Sequence, residues 1–325
     1  MRVFSGIRPS GQLHIGNYLG AIKQWLKLQE TNECFFCIVD LHAITTPYNP
    51  AELQENIKDT AIAYLAAGLD PKKCHLFLQS QVSEHTELAW LLGALAPIGE
   101  LQRMTQFKEK VKKYPKNITA GLLDYPLLMA SDILLYKAEL VPVGKDQKQH
   151  VELTRMLARK FNKQFGKTFP EPKTLLPKVG EKIMSLQNPK KKMSKTDDEK
   201  GCIGLFDRPE VIKEKIMKAV TDSGKVIKYD SKRKPAISNL LTIYSLLSSK
   251  QIKVIEKKFQ GKGYLQFKKS LANLLIKSLE PFRQKKKEYT KREVYLQEIL
   301  EQGRKKAQII AQETISEVKR KMGLI

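Results

Sequence analysis

The sequence predicts an α/β fold: a parallel sheet wound right-handed in the first half, interrupted by a helical insertion, then an all-helical second half. Three observations carry this. Short apolar runs of strand length at 3–7, 33–40, 76–78 and 140–144 alternate with longer stretches of helical periodicity, and crossovers of that length specify parallel pairing. Across residues 84–136 no strand pattern appears, and two or more helices replace a simple crossover. Beyond Asp197 every periodic stretch reads as helical and polar. At 325 residues the chain can bury a proper core and divides into two domains, expected at 1–196 and 197–325.

Taken in order, Val3-Phe4-Ser5-Gly6-Ile7 fits a buried strand. Pro9-Ser10-Gly11 supplies a turn in which Gly11 takes a positive φ, and Ile15, Leu19, Ile22 and Leu26 then recur at helical spacing. A helix start at the carboxyl end of a first parallel strand suits an anion: its first N–H groups lack partners, and the dipole adds ~0.5–2 kcal/mol for a bound negative charge. His14 and Asn17 lie three apart on one face of that turn, and both can donate to phosphate or ribose oxygens. The plainer alternative makes Ser10 the helix cap and His14 a solvated residue.

Residues 33–40 form an uninterrupted apolar run ending in a carboxylate, as in a strand covered on both faces. Asn49-Pro50-Ala51-Glu52 opens a helix with cap, N1 proline and third-position carboxylate, and Gly68 ends it. Leu76-Phe77-Leu78 is a third strand. In the insertion, Leu88, Trp90, Leu91, Leu92 and Leu95 make apolar helix surface, equally suited to internal core or to a dimer interface. Lys108, Lys110, Lys112, Lys113 and Lys116 cluster towards a loop at Tyr114-Pro115, by default a solvated face.

Residues 140–144 read as another strand, followed by a helix with Leu153, Leu157, Phe161 and Phe165, and Lys145-Asp146-Gln147 sits on its opening turn. This second junction belongs at the carboxyl edge of the sheet, where open α/β folds bind nucleotides. Residues 167–191, with Pro170, Pro172, Pro177 and Pro189, read as connection rather than core, apart from the apolar island Ile183-Met184-Ser185-Leu186. In Lys190-Lys191-Lys192-Met193-Ser194-Lys195-Thr196-Asp197, four lysines within six residues repel one another. That makes either a solvated linker or a mobile clamp for a triphosphate. Helix starts follow near 207–210, 238, 248 and 267, with a final helix over 291–322, a turn at Gly261-Lys262-Gly263-Tyr264 and a basic run at Lys285-Lys286-Lys287.

Charge is distributed unevenly. Residues 1–150 carry 16 Lys+Arg against 15 Asp+Glu, and residues 151–325 carry 42 against 19, so an excess of +23 lies in the second half. Such a field attracts a polyanion, nucleic acid above all, although lysine enrichment for solubility would look the same. Four cysteines do not make a disulfide framework, and Cys34-Phe35-Phe36-Cys37 lies inside an apolar strand with no second pair, which favours buried thiols over zinc or redox chemistry. No apolar run approaches eighteen residues, and Met1 leads straight into a strand, so a cytoplasmic protein without a membrane span is expected.

Arg8 to Asn17 resembles the HIGH-type signature of class I aminoacyl-tRNA synthetases, and Lys192 to Thr196 resembles their KMSKS loop. Two signatures in the right order are far more specific than either alone. Met129-Ala130-Ser131-Asp132-Ile133-Leu134-Leu135-Tyr136, Pro142-Val143-Gly144-Lys145-Asp146-Gln147-Lys148-Gln149-His150 and Ser238-Asn239-Leu240-Leu241 are similar to the bacterial-type tryptophanyl branch, and the likeness runs from Phe4 to Gly323. The resemblance implies a Rossmann-like catalytic domain with its helical insertion at 84–136 and the lysine loop at 192–196. It also implies a homodimer through the insertion and a basic helical tRNA- and anticodon-binding domain whose last helix can pack back on the first. The implied reaction joins L-tryptophan to ATP, with Mg²⁺, and then transfers it to tRNA(Trp).

The same resemblance assigns roles. His14, Asn17, Lys110, Lys192 and Lys195 are the catalytic group; Arg8, Pro9, Ser10, Gly16, Gly144, Lys145, Asp146, Ile183, Met193, Ser194 and Thr196 complete the ATP site. Lys192, Lys195 and Lys110 would hold the β- and γ-phosphates, Asp146 the ribose, and Gly16 would let the adenine approach. Phe4, His42, Tyr125, Met129, Asp132, Val141, Val143 and Gln147 would form the tryptophan pocket, with no residue assigned to a metal. Such chemistry needs no acid–base pair, because an amino-acid carboxylate is already ionised at pH 7. Indole offers one donor and no acceptor, so its slot needs one acceptor. Asp132, expected as an unpaired buried carboxylate, would reject phenylalanine by ~10⁴–10⁵. Arg8, His14, Lys145 and Thr196 depart from many relatives, and only the contacts of Arg8 and Lys145 are put in question. Tyrosyl-tRNA synthetase shares the plan, nucleotidylyltransferases share the first signature, and a non-catalytic RNA-binding relative is the remaining alternative.

Overall fold

The computed structural model describes residues 1–176, 183–194, 199–224 and 226–325. Five parallel strands, β1 (Arg2–Ile7), β2 (Glu33–Ile38), β3 (Cys74–Leu78), β4 (Leu140–Pro142) and β5 (Lys173–Leu175), lie in the order β3-β2-β1-β4-β5. The pairing of β1 with β2 runs in register from Arg2 opposite Glu33 to Ile7 opposite Ile38, and Val3 lies opposite Leu140 of β4.

The helical run after β1 comprises α1 (Ile15–Asn17), a π-helical turn (Tyr18–Ile22) and α2 (Lys23–Leu28). Then α3 (Pro50–Ala67) crosses from β2 to β3, with Asn49 accepting from the Ala51 N–H at its start and Gly68 at φ +108° at its end, as its sequence signals require. The insertion holds α4 (Glu84–Gly93), α5 (Ile98–Arg103), α6 (Thr105–Lys113) and α7 (Ala120–Leu135), and α8 (Lys148–Phe165) joins β4 to β5. Among the described residues five helices follow: α9 (Pro209–Lys218), α10 (Pro235–Ser248), α11 (Ile252–Lys258), α12 (Tyr264–Thr290) and α13 (Glu293–Met322).

Alternation along β2 explains the layers. Cys34, Phe36 and Ile38 enter one core with Trp25, α3, α9, α10 and α12; Phe35, Cys37 and Val39 enter the other with α4, α7 and α8. The first core therefore joins the sheet to the C-terminal helices, through contacts that include a Lys286–Asp59 ion pair of 2.8 Å and Lys23 donating to the Leu246 carbonyl at 2.7 Å.

α13 takes part in both cores. Leu296 and Ile299 belong to the first and Ala307, Ala311, Ile315 and Val318 to the second, so the helix passes across the edge of the sheet beside β3. Gly303 lies between these two sets, where a Cβ would stand 1.9 Å from the Leu76 carbonyl oxygen. The close approach is what a glycine inside a helix permits here.

Several local expectations need correction. Residues 167–191 are not merely connection: Lys173–Leu175 extends the sheet and Phe169, Ile183 and Leu186 are buried. A strand of three residues, half exposed at the sheet edge and containing a lysine, shows too little apolar alternation to be read. Lys145–Gln147 is a separate 3-10 turn ahead of α8, and α10 and α12 begin three residues earlier than expected, α11 four later. In the insertion Leu88, Leu92 and Leu95 are core, whereas Trp90 is 80% exposed. Pro177 and Asp197 lie outside the described residues.

Replacing Gly303 with alanine improves helix propensity by ~1 kcal/mol, but the overlap with a strand carbonyl forces the helix away, at a cost of ~1–3 kcal/mol or more. Gly303→Ala should therefore lower the urea midpoint; an unchanged or raised midpoint would show that α13 does not sit this tightly on Leu76.

Candidate active site

The turn after β1 places Ser10 N–H on the Arg8 carbonyl at 2.8 Å and Gly11 at φ +121°, the positive value that only glycine adopts cheaply. His14, not the exposed Ser10, is the helix cap. Its Nδ1 accepts from the Gly16 N–H at 3.1 Å, while its own N–H donates to Asn17 Oδ1 at 3.0 Å. This reciprocal cap fixes the tautomer: with Nδ1 accepting, the proton sits on Nε2. His14 and Asn17 thus each retain one donor, Nε2–H and the amide Nδ2, for an anion. Gly16 serves the cap, since a Cβ there would come within 2.8 Å of the His14 ring. Burial, with a smaller push from Lys192, lowers the His14 pKa to about 4, so the ring is neutral at pH 7.

The lysine loop has a structured base. Ser185 N–H donates to the Lys191 carbonyl and Met193 N–H to that of Ile183, each at 2.8 Å, and Met184 bridges Lys192 antiparallel. Asn239 of α10 holds this base through one amide, accepting from Met184 N–H at 2.9 Å and donating to the Met184 carbonyl at 2.8 Å. Ile183 and Met193 are buried anchors, whereas Lys192 extends outwards with Nζ 3.9 Å from Asp146 Oδ1. Ser194 follows at the end of the described stretch, and Lys195 and Thr196 lie outside the described residues. Asp146 stands in the 3-10 turn after β4 with exposed Lys145; Gln147 Nε2 donates to its Oδ2 at 3.0 Å, and a Cβ on Gly144 would meet its Oδ1 at 2.7 Å.

Deeper in, Asp132 of α7 is buried but not unpaired, which corrects the expectation. Gln79 Nε2 at 2.7 Å and His85 Nδ1 at 2.6 Å meet its Oδ1, and His42 Nε2 at 2.9 Å meets its Oδ2. Burial alone would raise this carboxyl, yet the hydrogen bonds from His42 and His85 outweigh it and hold the pKa at about 2. Three sequence-remote donors converge here, and no local pattern announces them. Phe4 is buried and stacked on Tyr136 at 5.6 Å, Val141 is buried, and Met129 and Val143 are half-buried.

Tyr125 hydrogen-bonds His150 Nε2 at 2.9 Å and carries Lys110 Nζ 3.9 Å above its ring. Burial and the neighbouring Arg8 bring Lys110 down to about 8, and burial lowers Arg8 itself. Lys110 is therefore held beside the expected amino-acid pocket. Sequence reading gave no role to Gln79, His85, Tyr136, His150 or Asn239, the last three being quoted only within motifs; the one signal was for Gln79, a polar side chain directly after an apolar strand. Two open clefts, of about 730 and 720 Å³, lie outside this constellation, around Gln12, Phe206 and Lys215 and around Ile227, Phe259 and Lys262. Among the described residues no group of three or more His, Cys, Asp or Glu is placed to hold a metal ion.

A family model for class I tRNA synthetases (W and Y) matches residues 1–280. The chain is 53% identical over 325 residues to a tryptophan–tRNA ligase of Caldanaerobacter subterraneus subsp. tengcongensis, covering 100% of this chain and 98% of that one. It superposes on tryptophanyl-tRNA synthetase from Mycoplasma pneumoniae with a TM-score of 0.92, 38% identity and coverage of 100% and 98%. The corresponding values for tryptophanyl-tRNA synthetase from Campylobacter jejuni, complexed with ADP and tryptophan, are 0.85, 37%, 100% and 100%.

His14 makes the cap sensitive to pH in a defined direction. The unfolded chain takes up a proton near 6.5 and the folded ring only near 4, so stability from this residue is complete above about 6.5 and is lost as pH falls towards 4. The His14 imidazole resonances should stay fixed between pH 8 and 5; a titration midpoint near 6.5 would contradict the buried neutral cap.

Proposed function

Because the chain belongs to the class I tRNA synthetases, and within them to the tryptophan–tRNA ligases, we propose that its site works as one unit in activating L-tryptophan with ATP and charging tRNA(Trp). The observation that carries this reading is the convergence of three elements: the capped junction after β1, Asp146 after β4 and Lys192 at 3.9 Å from it.

In this reading Asp146 receives the ribose, while His14 Nε2–H and the Asn17 amide donate towards the α-phosphate. Arg8, Pro9, Ser10, Gly16, Gly144, Lys145, Ile183, Met193 and Ser194 shape the nucleotide side. Lys192 and Lys195, with Thr196, neutralise the β- and γ-phosphates, and their ammonium groups meet the charge that shifts onto pyrophosphate. The tryptophan carboxylate is its own nucleophile. The residues therefore bind and align it, with Tyr125 and Gln147 at the ammonium and Phe4, His42, Met129, Val141 and Val143 around the indole. Lys110, poised near pKa 8 on Tyr125, supports the amino-acid end and reaches phosphate only by leaving that ring. Mg²⁺ supplies further charge neutralisation when it arrives with ATP. A phosphate side built of cations and N–H donors, with Asp146 as its carboxylate, fits an ion carried by the triphosphate.

The catalytic part spans 1–196, and the basic helical part from 197 onwards docks tRNA, as its charge supports. Trp90, Ile98 and Ile118, all exposed on the insertion, support a homodimer through that surface. No helix among the described residues is long and apolar enough to cross a membrane, and we place the protein in the cytoplasm.

ATP–pyrophosphate exchange should respond to tryptophan and far less to tyrosine or phenylalanine; exchange driven by tyrosine instead would overturn the assignment. Lys192→Ala and Lys195→Ala should each slow adenylate formation by ~10²-fold or more while tryptophan binding holds, and intact single-turnover chemistry would remove either lysine from the phosphate site.

A further inference from the structure

Beneath the proposed indole site a polar chain runs into the core. It begins at Asp132, passes through His85 and ends at Tyr136: His85 Nδ1 is 2.6 Å from Asp132 Oδ1, and His85 Nε2 is 2.8 Å from Tyr136 Oη. His85 and Tyr136 are fully buried. Phe4, Phe35 and Phe77 surround the Tyr136 ring at 5.6, 4.6 and 5.6 Å, so the chain lies in an apolar sleeve where hydrogen bonds are strong and unpaired groups costly. The directions of the bonds follow from the acceptors. A carboxylate only accepts, so His85 Nδ1 donates; the Tyr136 hydroxyl needs an acceptor, and the second ring nitrogen, Nε2, stands where it can provide one. Tyr136 thereby selects the tautomer that serves Asp132.

The two carboxylate oxygens then differ. Oδ1 is saturated from the buried side by His85 and Gln79, whereas Oδ2 has His42, whose ring is partly exposed and lies edge-on to Tyr125 at 6.2 Å. A carboxylate has about four lone-pair sites; three are taken, and the remaining one is on Oδ2, the oxygen shared with the partly exposed His42. Resting on the tryptophan reading, we infer that His85, locked by Tyr136, is a positioning residue that presents a single acceptor to the indole N–H and so sets selectivity. Neither residue touches the substrate.

The test compares ATP–pyrophosphate exchange with L-tryptophan and with L-3-benzothienylalanine, in which sulfur replaces the indole N–H. Tyr136→Phe removes one buried oxygen and should reduce the preference for tryptophan about tenfold, through KM for tryptophan rather than kcat, with the constants for the sulfur analogue and for ATP unmoved. His85→Leu should lose more, and His85→Asn, whose amide N–H can stand where Nδ1–H stood, should recover part of it. A parallel loss with both substrates, or an unchanged ratio in Tyr136→Phe, would reduce the chain to packing and overturn the inference. Should His85→Leu fail to fold, Tyr136→Phe alone decides. Absence of tryptophan-dependent exchange in the unaltered protein would overturn the functional reading, and this inference with it; exchange with an unaltered ratio would overturn this inference alone.

Discussion

Strand order reverses beside β1, and the remaining architecture follows from that reversal. The chain builds outwards from β1 through β2 to β3, then returns across the sheet to lay β4 on the other side of β1. Connections leaving β1 and β4 diverge at their carboxyl ends, which opens a crevice between them. The two turns proposed to face the nucleotide, 8–17 and 143–147, are those two connections. The return crossing is made by α4 to α7, so α7 must arrive behind the crevice, and it brings Asp132 and Tyr125 with it. The proposed amino-acid pocket and nucleotide cradle are neighbours because one topological step creates both.

Burial weakens the bases on the inner surfaces of this site. His14 and His150 are each held at about 4, and Lys110 at about 8, all mainly by desolvation. Lys192 keeps its ammonium exposed near the mouth. The interior therefore offers two neutral imidazoles and one stable carboxylate beside Arg8 and Lys110, while Lys192 extends on the exposed side. That division suits a reaction whose nucleophile arrives ionised and whose leaving group gains charge.

How legible all this was depended on the range of the interactions involved. The helix 50–67 could be read completely because its cap, N1 proline and terminal glycine are local signals that agree. Four strands were visible as apolar runs; β5, three residues long and half exposed, carried no such run. The turns at 8–17 and 143–147 and the lysine run at Lys192 could be picked out, since turn chemistry and lysine crowding are written in consecutive residues. The His14 cap was misread because histidine seldom caps a helix, and its role depends on one ring nitrogen facing back towards Gly16. Asp132 and His42 were both named for the amino-acid pocket, whereas Gln79 and His85 were not: the three partners of Asp132 come from separate segments, and only folding makes them neighbours. Asn239 stood within a quoted motif, yet its hold on Met184 spans the step from α10 to the lysine loop. Lys195 and Thr196 lie outside the described residues.

The passage of α13 across β3 also fixes an order of events during synthesis. Phe77 on one side of that strand and Leu76 on the other share their cores with α13, which is translated more than two hundred residues later. Until the residues of α13 leave the ribosome, the outer edge of the sheet has no cover, and an uncovered strand edge is a template for unwanted pairing. The N-terminal half is thus translated first but closed last. A ribosome that stalls before Gly303 would release a chain whose nucleotide turns are present and whose sheet remains open to its neighbours.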